Sequence, residues 1–338
     1  MSLVHSTLIV GCGSIGERHL RCFQHTGRTR LTACDTSPAL REKMAATYGV
    51  PAVADAAEAI AGGTHDTVVI CTPAHIHVPL AIRALRAGLH VLIEKPLSTS
   101  LAGVDDLLRA HAESGRQAAV AYVLHAHPLL GAARDFVQRG EFGPVLHASV
   151  VSGQPFHVFR PAYAQVYYRD RATGGGAIQD ALTHMANWME SVVGPTDSVL
   201  CDCAHQFLPG VEVEDTVHIA ARNGSALVSY SLNQFQAPNE SAVQFDAAGG
   251  SVRVELHALR WGTCAAGASA WTWHTLPSLE RDTLFTKQAG DFLDQVDGQP
   301  ARVCTLAAAA QTLRFNLAAL AAAERGARVS LGEFRIPA

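Results

Sequence analysis

The sequence predicts two domains of different class: an N-terminal doubly wound α/β domain over residues 1–122, and a C-terminal α+β domain over 123–338 with an open, mainly antiparallel sheet. Three observations predict this. The first third alternates short, continuous apolar runs with helical patterns, as buried parallel strands and their crossover helices require. From 197 to 275 the chain reads instead as consecutive strands with tight-turn signals. And 338 residues are too many for one comfortable core.

In order along the first domain, "TLIVG" (7–11) is a strand followed by a helix from Ser14. "LTACD" (31–35) precedes "SPALREKMAATYG", with Pro38 at the helix start and Gly49 at its end. "TVVICT" (67–72), "HVLIEK" (90–95) and "QAAVAY" (117–122) are three further buried strands. The texture changes after 122. A helix over 128–139 precedes "GPVLHASVV", and a long aromatic- and arginine-rich loop, "QPFHVFRPAYAQVYYRDRATGGG", leads into a helix carrying "AIQDALTHMANWM". Strands follow in "SVLCDCAHQFL", "DTVHIAARNG", "SALVSYSLNQF", "SAVQFDAAGG" and "SVRVELHA", with turns at "RNGS" and "AAGGS". Helices return over 283–296 and 304–325, and the last of these can pack back on the first domain.

The chain is 48% hydrophobic and 17% charged, with a net charge of −4. It is therefore globular, and the absence of a basic run argues against nucleic acid or an anionic membrane as the main partner. No uninterrupted apolar run reaches the ~18 residues of a transmembrane span. The start, "MSLVHST", lacks the basic and apolar regions of a secretory signal. The eight cysteines are scattered; Cys34 and Cys71 fall inside strand patterns and read as reduced core residues of a cytoplasmic protein. "CDCAH" (201–205) lies in a strand with no second Cys/His pair of matching spacing, so no metal site is expected.

"VGCGSIG" places Gly11, Gly13 and Gly16 after the first strand and at the start of a helix. In this G-x-G-x-x-G spacing, Gly11 permits a tight turn, Gly13 lets a pyrophosphate approach, and Gly16 lets helix and strand pack closely. The N–H groups at Ser14, Ile15 and Gly16 open the helix toward the phosphates. Asp35 ends the second strand, 19 residues after Gly16. A carboxylate there accepts ribose hydroxyls and repels a 2′-phosphate, which favours NAD over NADP, although Arg41 is close in sequence. An ordinary turn, with Asp35 capping the next helix, is the alternative.

In the helix after the glycines, Ile178, Leu182, Met185, Met189 and Val192 make one apolar stripe, and Asp180, His184 and Asn187 fall on another face. The glycines allow a sharp turn and the close approach of a ligand. A carboxylate near the helix N-terminus can orient and charge an imidazole for proton transfer. An incidental i,i+4 pair on a solvated face is the other reading.

"VGCGSIGERH", "VVICTPAHIHVPLAIRALRAGLHVLIEKPLSTS" and "GGGAIQDALTH", in that order, resemble the glucose–fructose oxidoreductase / inositol dehydrogenase / rhizopine-catabolism (Gfo/Idh/MocA) family over nearly the whole chain. The resemblance implies a Rossmann domain that binds NAD(P) and a sheet domain that completes an active site. It implies Lys95, Asp180 and His184 as the catalytic set, Thr72, Pro73, His77, Glu94 and Lys95 beside the cofactor, and a cis Lys95–Pro96 bond. "AYVLHAHPLL" departs from the family's usual Y-N-x-R-[FY]-x-P, with Val123 in place of asparagine and His125 in place of arginine. Tyr122, His125, Arg160 and Tyr168 join the catalytic three as candidates to bind substrate, and one of Arg160, Arg169 and Arg171 can clamp a carboxylate. The expected activity is hydride transfer between the nicotinamide and a carbinol or carbonyl of a sugar, polyol or sugar derivative. A homodimer or homotetramer through the sheet, with 215–256 as the strip of interest, is implied as well. The alternatives are a cofactor-bound sensor on the same scaffold, or a glycosidase that uses NAD transiently.

Overall fold

The structure, a computed structural model, describes residues 4–300, 302–332 and 334. The chain forms two compact units, Met1–Ala126 with Glu280–Ala310, and His127–Leu279 with Gln311–Ala338. In chain order the first unit contains β1 (His5–Val10), α1 (Ser14–His25), β2 (Thr29–Cys34), α2 (Pro38–Tyr48), β3 (Ala52–Val53) and α3 (Ala56–Ala61). These are followed by β4 (Thr67–Ile70), α4 (His77–Arg86), β5 (His90–Ile93), α5 (Val104–Ser114) and β6 (Ala118–Val120). The second unit has α6 (Pro128–Arg139), β7 (Val145–Pro155), the short α7 (Phe156–Phe159) and α8 (Thr183–Val193). Its further strands are β8 (Ser198–Ala204), β9 (Thr216–Asn223), β10 (Ala226–Asn233), β11 (Phe235–Ala247), β12 (Gly250–Glu255), β13 (Arg260–Ala265) and β14 (Thr272–Thr275). The chain ends with α9 (Thr283–Val296), β15 (Cys304–Thr305), α10 (Leu306–Arg325) and β16 (Val329–Ser330).

The first sheet runs β15-β6-β5-β4-β1-β2-β3. β1 to β6 pair in parallel, and β15 adds antiparallel to β6. Strand order reverses at β1, between β2 on one side and β4 on the other, where doubly wound sheets place their ligands. Both faces are covered, and Leu8, Ile9, Val68, Val69, Ile70, Val91 and Leu92 are buried, as their unbroken apolar runs require. α2 starts and stops where the sequence says it should. Ser37 caps it, Pro38 opens it, and Gly49 closes it in the left-handed region at φ 67°. α9 packs on α1 through Phe292 against Phe23, so the 280–310 segment belongs to this unit, whereas the sequence reading assigned it to the second.

The second sheet has nine strands in the order β14-β13-β12-β11-β7-β10-β9-β8-β16. All neighbours are antiparallel except β7 and β10. One face is covered by helices, with Trp188 of α8 edge-on to Phe245 and Phe315 of α10 edge-on to Tyr230. Along β9 and β10 the burial alternates strictly. The other face is open and exposes Val151, Leu200 and Leu227 between polar neighbours.

α10 is, by length and composition, apolar enough to cross a membrane, which the search for uninterrupted apolar runs did not register, and over half of it is buried inside the fold. Its C-terminal part is tied to α8, because Asn187 Nδ2 donates to Thr312 Oγ1 (2.9 Å) and Asn316 Nδ2 to Thr183 Oγ1 (2.9 Å). These bonds mark the part from Gln311 on as core of the second unit, while Leu306–Ala310 belongs to the first. They also correct the reading of Asn187, which is 2% exposed and faces the core rather than standing beside Asp180 and His184.

Candidate active site

The glycine loop behaves as its spacing demands. Gly11 sits at φ 90°, and a Cβ there would lie 2.7 Å from the Cys71 carbonyl oxygen. A Cβ on Gly16 would lie 1.7 Å from the Gly11 carbonyl oxygen. Gly13 is different, with nothing within 4 Å of its Cβ position. The loop is thus packed at its ends and open in the middle, before the first N–H groups of α1. Asp35 holds this loop: its Oδ2 accepts from Cys12 N (2.7 Å), and its Oδ1 accepts from Ser37 N (2.8 Å). The helix cap at α2 is Ser37, not Asp35. Arg41 donates to the carbonyl oxygens of Asp35 and Thr36. The buried Oγ1 of Thr72, on the loop that faces Gly11, has no hydrogen-bond partner among the described residues. An open cradle of N–H groups, a fixed carboxylate and an unsatisfied hydroxyl fit a dinucleotide.

The E-K-P turn follows β5, and the Lys95–Pro96 peptide is cis, as is Ala237–Pro238 in the second unit. Glu94 is 5% exposed; its Oε1 accepts from His19 Nε2 (2.7 Å) and its Oε2 from Lys95 N (2.9 Å). Burial works against its charge, but the His19 bond, the His19 and Lys95 charges and the Lys95 N–H together outweigh this, and its pKa lies below the usual value. Glu94 therefore anchors the turn to α1 rather than reaching toward a ligand, which corrects its reading as a cofactor contact. His77 is 1% exposed; its Nδ1 lies 3.0 Å from the Pro96 carbonyl oxygen and its Nε2 2.8 Å from that of Thr72. Burial lowers its pKa against the pull of those two carbonyl oxygens, and the ring sits between the Thr72–Pro73 loop and the E-K-P turn. Lys95 is partly exposed at the tip of that turn. Tyr122, taken as a substrate contact, is 1% exposed and packs in the core. His125 is partly exposed in a 3₁₀ turn over Val123–Ala126.

In the second unit, the segment 178–193 is not one regular α-helix. Ile178–Leu182 is a π-helical turn, and α8 starts at Thr183. Such wide turns are frequent at functional sites. Asp180 lies inside the turn and His184 in the first turn of α8, both partly exposed, while Ile178, Leu182, Met185 and Met189 are buried as the apolar stripe predicts. Val192 is only half-buried.

The glycine triplet serves the protein itself. A Cβ on Gly175 would lie 2.1 Å from the Tyr168 carbonyl oxygen, and one on Gly176, at φ 90°, 2.4 Å from Glu214 Oε1. The close approach expected of a ligand is made by the preceding strap and by Glu214. The Glu214 carboxylate, fully buried, accepts from Ile178 N (3.1 Å) and from Arg171 Nε (2.9 Å). Arg171 is thus committed to Glu214, while Arg160 and Arg169 are exposed. Tyr168 is not a surface contact. It is 1% exposed and packs on Phe156 and Tyr163 with ring centroids 4.6 and 6.1 Å away. Its neighbour Tyr167, in the same loop before the glycines, donates from its hydroxyl to Asp180 Oδ1 (2.7 Å).

Two profiles of one family match: residues 6–122 match its NAD-binding Rossmann fold, described as an oxidoreductase family, and residues 131–257 match its C-terminal domain. The chain belongs to the Gfo/Idh/MocA oxidoreductase family. The first unit is its NAD-binding Rossmann domain. Among curated Gfo/Idh/MocA relatives, a dTDP-3,4-didehydro-2,6-dideoxy-α-D-glucose 3-reductase of Streptomyces violaceoruber is 35% identical over 40% of this chain. The chain spans only about two fifths (41%) of that reductase. A 1,5-anhydro-D-fructose reductase of Ensifer adhaerens is 27% identical over 67% of this chain and 68% of its own length. Among solved structures, levoglucosan dehydrogenase in complex with NADH and levoglucosan superposes with a TM-score of 0.88 at 18% identity, over 98% of this chain and 100% of that one. That likeness establishes the two-domain fold. Among the described residues no group of three or more His, Cys, Asp or Glu is arranged to hold a metal ion.

The sequence reading gave no part in the site to His19 or Glu214, and it placed Tyr167 only in the loop before the glycines. His19 had a signal, three residues after Gly16 on the buried side of α1. Tyr167 and Glu214 sit in stretches without periodicity, and nothing in their spacing points at Asp180 or Ile178.

Proposed function

We propose that the chain is an NAD(H)-dependent oxidoreductase acting on a carbinol or carbonyl of a sugar, polyol or sugar derivative. Bound NAD supplies the hydride chemistry; everything else falls to the chain's own side chains. His184 takes the hydroxyl proton in the oxidative direction and returns it in the reductive one. Asp180 orients the imidazole and favours its charged form. Lys95 donates to the same substrate oxygen and stabilises charge that develops on it. The observation that carries the reading is the wide turn that sets Asp180 just before His184, held from behind by Glu214, in a chain whose other unit is an NAD-binding domain with Lys95 at a turn tip. The curated reductases of 1,5-anhydro-D-fructose and of a deoxysugar nucleotide, and the levoglucosan-bound neighbour, support a carbohydrate substrate. We also read the open face of the nine-stranded sheet as the surface through which copies associate, and the protein as cytoplasmic.

The test is absorbance at 340 nm with 1,5-anhydro-D-fructose, levoglucosan, aldoses, inositols and uronic acids, in both directions and with both nicotinamide cofactors. Turnover with NAD(H), lost in His184→Ala while NADH still binds, supports the reading. NADH binding without turnover of any compound points to a sensor on this scaffold instead.

A further inference from the structure

Tyr167 and Tyr168 are consecutive, yet their side chains part. Tyr168 is buried among Phe156 and Tyr163, whereas Tyr167 is 46% exposed with its hydroxyl 2.7 Å from Asp180 Oδ1. The backbone between them is stapled to the glycine hinge. Thr173 Oγ1 donates to the Tyr167 carbonyl oxygen (2.8 Å), Gly176 N to that of Tyr168 (3.2 Å), and Gln179 Nε2 to that of Arg171 (3.0 Å). Arg171 is in turn pinned to the buried Glu214. Strap, hinge and wide turn are therefore one body, and the rigid Tyr168 side chain fixes where Tyr167 stands.

We propose that Tyr167 is a positioning residue for the acid–base pair: its hydroxyl grips one oxygen of Asp180 and holds that carboxylate in one rotamer one turn before His184. This rests on the acid–base role given to His184 above. A phenol that donates to a carboxylate makes a charge-assisted bond, roughly twice as strong as a neutral one, and such a bond narrows the rotamers that a short aspartate side chain samples. Burial and then the Asp180 charge push the Tyr168 hydroxyl up, and Glu214 lies at the start of the same turn.

The experiment uses the full chain saturated with NADH and ¹³Cζ-labelled tyrosine. There are six tyrosines, and Tyr167→Phe identifies its resonance by deletion. Asp180→Asn is expected to move that resonance and leave the other tyrosines in place; a resonance indifferent to Asp180→Asn overturns the proposal. With 1,5-anhydro-D-fructose and NADH, Tyr167→Phe is expected to lower kcat about tenfold with KM and NADH affinity nearly unchanged, a loss on the scale of impaired general acid–base catalysis. A kcat equal to that of the unaltered chain overturns the positioning role. Failure of the underlying reading looks different, because His184→Ala then keeps full turnover whatever Tyr167 does.

Discussion

His19 Nε2 lies 2.7 Å from Glu94 Oε1, and both side chains are buried. The other ring nitrogen of His19 has no hydrogen-bond partner among the described residues. His19→Ala leaves the Glu94 charge buried with one donor fewer and should cost on the order of 3 kcal/mol. Glu94 has a folded pKa below its ordinary value, so its stabilising contribution is present at neutral pH and is lost as pH falls below the ordinary carboxylate range. Urea unfolding at pH 7 and pH 4 should show His19→Ala losing most of its penalty at the lower pH; an equal penalty at both sinks the assignment.

The glycine loop separates folding from cofactor binding. Gly16→Ala drives a Cβ to 1.7 Å from the Gly11 carbonyl oxygen and should destabilise the first unit by about 3 kcal/mol or more. Gly13 has φ −65° and ψ −172° and open space at Cβ, so Gly13→Ala should fold normally, with a melting temperature close to that of the unaltered chain. It should still bind NADH at least about tenfold more weakly, because the methyl group occupies the approach of the pyrophosphate. Fluorescence titration of NADH and a melting curve check both halves.

His127 caps α6 by accepting from Leu129 N on its Nδ1 (3.3 Å), a bond only a neutral ring can make. Burial pushes its pKa down to about 4. The unfolded chain then binds a proton at this ring between about pH 6.5 and 4 that the folded chain refuses, so stability falls as pH drops through that window. His127→Asn keeps a cap and should flatten this part of the pH–stability curve by up to roughly 3 kcal/mol. Unchanged steepness in chemical denaturation between pH 7 and 4.5 refutes it.

Glu214→Ala removes the acceptor for Ile178 N and the partner of Arg171. Backbone exchange at Ile178 should accelerate, and the second unit should lose about 2–3 kcal/mol. Glu214→Gln, which keeps an acceptor, should recover part of the loss. Hydrogen exchange read by mass spectrometry distinguishes this local loosening from global unfolding.

If the open sheet face joins two copies, Val151→Asp with Leu227→Arg, both exposed and on adjacent strands, should reduce the mass found by light scattering to that of a single chain. A mass unaffected by the pair places the contact elsewhere.

The Rossmann half was legible almost strand by strand, because fully buried parallel strands write themselves as unbroken apolar runs and α2 carries its own start and stop residues. The second sheet was legible as strands but not as a topology. Nothing in "GPVLHASVV" says that β7 occupies the centre of nine strands or runs parallel to β10, since register and neighbours are set by tertiary contacts. The wide turn at Ile178–Leu182 was hidden because the apolar spacing of four and three fits an α-helix equally well. Asn187 shows the same blindness from the other side: a polar residue in helical register with Asp180 and His184 looked exposed, while its partner, Thr312, lies 125 residues away.

Asp35 spends one oxygen on Cys12 N and the other on Ser37 N, so its orientation is settled before any nucleotide arrives. If Asp35 receives the adenosine ribose, the sugar meets a preorganised acceptor and need not freeze a loose side chain, an entropy saving of roughly 0.5–1.5 kcal/mol. The same fixity removes an escape route. A carboxylate clamped from two directions cannot swing aside for a 2′-phosphate, so changing cofactor preference here means rebuilding the β2–α2 corner rather than exchanging one residue.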